Sequence, residues 1–155
     1  MRKNILILCC GHPFFTDNGF GYHVSKALEK RGLPGNVDLM EVGFSACMVP
    51  HIMEGKDKLI IVDIFHTNDK PGTVVRLKQE EVPILVNGKT DTAKWHLMET
   101  LDQMKLLGAC PETIFIGVVP VDTQTESGSL SPEIEGKVEV AVEMIVKEIN
   151  AVPPQ

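Results

Sequence analysis

The sequence predicts an α/β three-layer sandwich: a mostly parallel five-stranded sheet, one strand antiparallel, with helices on both faces. Three observations carry this. Continuous apolar runs, NILILCC (4–10), KLIIVDIF (58–65) and ETIFIGVV (112–119), read as strands covered on both sides. Segments with helical apolar spacing separate the strands, the pattern of a parallel sheet with crossover helices. The Pro71-Gly72 link is too short for such a crossover, so the strand after it, Thr73–Leu77, runs antiparallel to its predecessor.

The elements follow in order. After the first strand, CGHPFFTDNGFG forms a turn rich in Gly, Asp and Asn. A helix spans about Gly19 to Arg31, with Phe20, Val24, Ala27 and Leu28 on one face and Gly32 as its C-terminal stop. Val37–Val42 is the second strand. A loop at 43–46 leads into a short helix around Met48–Met53. The third strand, Lys58–Phe65, carries Asp63 near its end. Val82–Val86 contains Pro83 and reads as a loop or edge segment. The helix from Thr92 to Leu107 places Trp95, Met98, Leu101, Met104 and Leu107 on its buried face. The last helix has Ser131 as N-cap and Pro132 in its first turn, and buries Ile134, Val138, Ala141, Val142, Ile145 and Ile149. A chain of 155 residues fits one domain, 1–150, followed by a Pro-rich flexible tail, 151–155.

Composition narrows the function. With Lys+Arg 15 against Asp+Glu 21 and no basic cluster, nucleic acid is not an expected partner. No run approaches the roughly 20 apolar residues of a membrane span. Cys9, Cys10, Cys47 and Cys110 form no C-x-x-C pair, so no structural zinc is expected. The reading is a reducing, cytoplasmic setting. Gly88-Lys89-Thr90 lacks the first glycine of a phosphate loop, and no G-x-S-x-G elbow occurs.

In such a sheet, ligands bind beyond the carboxyl ends of the strands, at the topological switch point. Asp63 is the strongest candidate, because an aspartate inside LIIVDIF is costly to bury without a partner. It either caps a neighbouring turn or joins an oxygen-rich cluster with Asp17 and Asn18, to which a histidine would add a ligand for nickel or zinc. Asp17 and Asn18 are also placed to cap the helix that follows. His66, in a polar HTNDK loop, reads as solvated; His96, between apolar helix neighbours, reads as structural.

The order ILILCCGHPFFTDNGFG, GFSACM, LIIVDIF, PGTVVRLKQEEVP, IFIGVVP, LSPEIEGKVEVAVEMI resembles the hydrogenase maturation endopeptidases across almost the whole chain. The resemblance implies a five-stranded twisted sheet and a monomer. It implies an aspartic-type endopeptidase that trims the C-terminal extension of a nickel-iron hydrogenase large-subunit precursor. It also implies that no metal is permanently bound and that nickel carried by the precursor is recognised. On this chain the implied catalytic carboxylates are Asp63 and Asp17, and the implied metal contacts are Asn18, Asp63 and a histidine. The family's histidine position falls on Ala93, and His96, within about one helical turn, is its nearest replacement. Asn18 stands where the family has an acidic ligand. These departures leave a second reading: a relative that binds a hydrogenase subunit or precursor without cutting it.

Overall fold

The computed structural model describes residues 2–43 and 49–151. Strands β1 (Ile5–Cys10), β2 (Val37–Gly43), β3 (Lys58–Ile64), β4 (Val74–Leu77) and β7 (Glu112–Val118) form one sheet in the order β2-β1-β3-β7-β4. The pairs β1–β2, β1–β3 and β3–β7 are parallel, and β4 runs antiparallel to β7. The chain leaves β1 in one direction for β2 and returns on its other side for β3. The switch point therefore lies between the ends of β1 and β3.

Alternation along the strands sends side chains to two cores. Ile5, Ile7, Ile60, Val62, Ile114 and Ile116 face one side. There they meet α1 (Phe20–Arg31), α4 (Pro132–Glu135) and α5 (Lys137–Asn150). Leu6, Leu8, Leu59, Ile61 and Phe115 face the other side, under α3 (Thr92–Leu106) and Met53, which follows α2 (Val49–Ile52). Cys9 and Cys10, at the end of β1, pack one on each side. Both thiols are pushed up, chiefly by burial, as inert packing groups are.

The second layer is fastened by a polar clasp. Lys58 at the start of β3 is buried, and its Nζ donates to Glu148 Oε2 at 2.7 Å and to the Glu148 carbonyl at 3.1 Å. Arg76 of β4 pairs with the other Glu148 oxygen. Burial alone would raise the Glu148 pKa, but the hydrogen bonds from Arg76 and Lys58 outweigh it and hold the carboxyl below its usual range. One carboxylate thus ties the end of α5 to β3 and β4.

Four details correct the reading of the sequence. β4 is antiparallel, but its partner is β7, inserted between it and β3. Val82–Val86, read as a loop or edge segment, supplies β5 (Leu85–Val86), which pairs only with β6 (Lys89–Thr90) beyond it through Asn87 and Gly88, both with positive φ. That is the backbone a tight hairpin turn requires. The buried stripe of α3 is Lys94, Leu97, Leu101 and Met104. Leu107, just beyond, is 82% exposed, and Trp95 is also exposed. Residues spaced strictly by three drift round a helix of 3.6 residues per turn, so the run from Trp95 to Leu107 cannot stay on one face. Finally, the last helix is broken at Gly136 into α4 and α5; Ser131 is the N-cap residue of α4 with Pro132 in its first turn, as expected, but its side chain makes no capping hydrogen bond. The loop from Phe44, the start at Met48 and tail residues 152–155 lie outside the described residues.

Gly117 fixes how close β3 and β7 approach beside Asp63. A Cβ there would lie 1.8 Å from the Asp63 carbonyl oxygen and 2.6 Å from the Phe65 ring. Gly117→Ala should destabilise the fold by at least the upper end of the roughly 1–3 kcal/mol that overpacking costs. Urea unfolding measures this, and a stability equal to wild type would contradict the packing described.

Candidate active site

A cleft of about 250 Å³ opens at the switch point. Its polar lining comes from five segments: Asn18 after β1, Asp63 and His66 at and after the end of β3, Lys89 and Thr90 of the β5–β6 hairpin, Asp91 and Lys94 at the start of α3, and Thr123 after β7.

Asp63 is largely buried, and its two oxygens have different tasks. Oδ1 accepts the Ile64 N–H at 2.8 Å, which fixes the carboxylate plane. Oδ2 is 3.5 Å from the Lys94 ammonium. Lys94 is only 7% exposed. Asp91 holds it twice. As the N-cap of α3, Asp91 accepts the Lys94 N–H through Oδ1 at 3.1 Å, and its Oδ2 lies 3.3 Å from Lys94 Nζ. The ammonium also sits 5.3 Å over the Phe65 ring. Burial would lower the lysine pKa, but attraction to Asp63 and then Asp91 more than compensates, so Lys94 is held above the usual lysine range. Sequence reading overlooked Lys94. The available signal was a lysine completing the 94/97/101/104 stripe three residues after a capping aspartate.

Asp17 is fully buried and does not line the cleft. It caps no helix, and neither does Asn18, contrary to expectation. The Asp17 Oδ2 accepts from Val121 N, Asp122 N and Ser131 Oγ at 2.8, 2.9 and 2.9 Å, and Oδ1 accepts from Ser131 N at 2.8 Å. This pull on its hydroxyl explains why Ser131 leaves α4 without a side-chain cap. Asp17 is a positioning residue: it fixes the loop that brings Thr123 to the cleft. The Thr123 carbonyl in turn accepts the Asn18 side-chain amide at 3.0 Å. Gly11 permits the turn to close on the strand end. Its φ is +117°, and a Cβ there would stand 2.1 Å from the Asn18 carbonyl oxygen and 3.8 Å from Asp63 Oδ1.

The histidines exchange the places expected of them. His66 lines the cleft instead of lying in solvent. Its pKa is lowered from 6.5 by burial first and by Lys94 second, which outweigh Asp91 and Asp63. The His96 side chain is 57% exposed, lies beside Trp95 and Glu99, and does not line the cleft. Ala93 does line it, with no donor atom to offer. Of the metal contacts expected, only Asp63 brings an anionic oxygen, and the Oδ2 that would serve already faces an ammonium. Among the described residues, no three of His, Cys, Asp and Glu are grouped to hold a metal ion.

Residues 22–148 match the sequence model of a family described as hydrogenase maturation protease. The chain is 32% identical over 145 residues to the hydrogenase 2 maturation protease of Escherichia coli (strain K12), covering 92% of this chain and 88% of that one. It is 28% identical over 152 residues to the hydrogenase expression/formation protein HupD of Rhodobacter capsulatus, covering 96% and 72%. Its structure is similar to that of the hydrogenase maturating endopeptidase HybD from Escherichia coli, with a TM-score of 0.84 at 30% identity, over 97% of this chain and 93% of that one.

Placing His66 beside a buried ammonium has a measurable consequence. In an NMR titration its midpoint should fall below 6.5, and in Lys94→Gln it should move up while staying depressed by burial. The unfolded chain takes this proton first as pH drops below 6.5. His66 therefore costs stability in that acid window and nothing above it. A midpoint at or above 6.5 would contradict the geometry.

Proposed function

The chain belongs to the hydrogenase maturation protease family, a family of hydrolases, and we propose that it is an endopeptidase removing the C-terminal extension of a hydrogenase large-subunit precursor. The observation that carries the assignment of a site is Asp63. It is a carboxylate at the end of a buried strand, at the switch point and in the wall of the cleft, with one oxygen anchored by Ile64 N–H and the other paired with the Lys94 ammonium. Family membership over residues 22–148 supports the reaction.

In this reading an extended precursor segment lies between the Asn18 turn and the β5–β6 hairpin. Asp63 acts as general base of an aspartic-type cleavage. It takes a proton from a water molecule whose oxygen bonds to the scissile carbonyl carbon, and the proton passes to the departing amine as the C–N bond breaks. His66, neutral near pH 7 because burial and Lys94 lower its pKa, is placed to relay that proton. Asn18 offers an amide to the substrate backbone. Nickel in the precursor is part of the substrate, and no step here passes through it.

A relative that binds without cutting is the second reading, favoured by Asn18 and Ala93 at the family's ligand positions. Co-expression with a large-subunit precursor separates the two, with the partner's mass as readout. Wild type should shorten the partner, and Asp63→Asn should slow this by at least about 100-fold, at the low end for loss of a general base. The variant should retain the far-UV circular dichroism of the fold. Undiminished cleavage by Asp63→Asn would sink the role of Asp63. A partner bound but never shortened by wild type would establish the binding module instead.

A further inference from the structure

The deepest ion in the cleft is one the chain supplies itself. We infer that Lys94 is the resident cation of the site: its ammonium occupies the coordination space of Asp63, so the cleft engages its partner without reading a divalent metal. Four observations converge on this. The Asp63 oxygen left free by Ile64 N–H faces Lys94 Nζ at 3.5 Å. Asp91 pins the same ammonium at 3.3 Å while capping the helix that carries it, so Lys94 cannot swing away without loosening the start of α3. The Phe65 ring closes a further side. The position before it, Ala93, has no donor atom, and His96 is turned away from the cleft.

The placement of the positive charge, rather than the net balance, points the same way. Asp63 and Asp91 together carry two negative charges and Lys94 returns one, so a divalent ion arriving at Asp63 would meet a fixed like charge within a few ångströms. In a partly buried site that repulsion is not screened as it is at the surface. Where the resemblance implies a histidine the chain has Ala93, and the neighbouring Lys94 makes an internal ion pair with Asp63. Lys94 also remains available to steady a carbonyl or carboxylate of the bound segment, which a metal ligand cannot do. This inference deepens the proposed function and rests on that reading of the cleft as the place where the precursor is engaged.

The test uses cadmium alone, so it does not require cleavage. Isothermal titration of wild type and Asp63→Asn with cadmium chloride should give superimposable curves, because Asp63 is not open to the ion. Lys94→Gln should gain cadmium binding at least about tenfold tighter than wild type, as expected when a like charge is removed at close range, and the gain should vanish in Lys94→Gln with Asp63→Asn. Wild-type binding abolished by Asp63→Asn, or no gain in Lys94→Gln, would overturn the inference. If Lys94→Gln does not fold, the ¹⁵N signal of the Lys94 ammonium in wild type decides. A signal unmoved by cadmium supports the inference, and one displaced by it refutes it. A precursor left uncut in any metal state would remove the endopeptidase reading while the cadmium result stands.

Discussion

Everything at the working end of the sheet hangs from the buried carboxylate of Asp17. Its oxygens accept four hydrogen bonds from Val121, Asp122 and Ser131, donors that would otherwise be orphaned in the interior. Bonds to a charged acceptor contribute about 1.5–3 kcal/mol each, and an unsatisfied buried donor costs about 1–3 kcal/mol. The surrounding loop adds to the same seam: Thr16 N–H donates to the Ser127 carbonyl, and Thr16 Oγ1 to that of Thr125. The turn after β1 and the loop after β7 therefore form one rigid piece. Asn18 and Thr123 enter the cleft as parts of it.

A second buried charge organises the opposite wall. Lys94 lies in the stripe of α3 that packs on the sheet, where a leucine would be ordinary. Burying an ion there is tolerable only because Asp63, Asp91 and Phe65 surround it. Removing one partner from such a buried pair costs about 3–5 kcal/mol in general, since the other charge is stranded. The cluster joins the end of β3 to the start of α3, two segments that share no strand pairing. The site's electrostatics and the seating of α3 are therefore the same interaction. Lys94 also adds to burial in lowering the pKa of His66, a few residues beyond Asp63.

Much of this was legible in the sequence, and the failures share physical causes. The strands announced themselves because burial on both faces demands unbroken apolar runs, as in LIIVDIF. Asp63 stood out as the exception within one. The place of β4 was not legible, because nothing local shows that a strand arriving later will slip in beside it. The β5–β6 hairpin was legible in Asn87-Gly88, whose tolerance of positive φ marks a two-residue turn, but Pro83 drew the reading toward a loop. On α3, spacing by threes hid the true stripe, and with it Lys94. Asp17 sits next to a helix start, where capping is the default role of an aspartate. Its actual partners lie more than a hundred residues away. The polarity of their neighbours in sequence says little about His66 and His96, because position relative to the sheet end decides which of them meets the cleft.

The measurement that bears most directly on the central claim, that the Asp63–Lys94 cleft is where the partner is engaged, is hydrogen exchange read by mass spectrometry on the Asp63→Asn protein with and without a large-subunit precursor. Slowed exchange should be concentrated at 16–19, 63–66 and 86–94, three segments that contribute Asn18, Asp63, His66 and Lys94 to the cleft. Protection confined to the exposed faces of α1 and α5, with those three segments unchanged, would contradict the account.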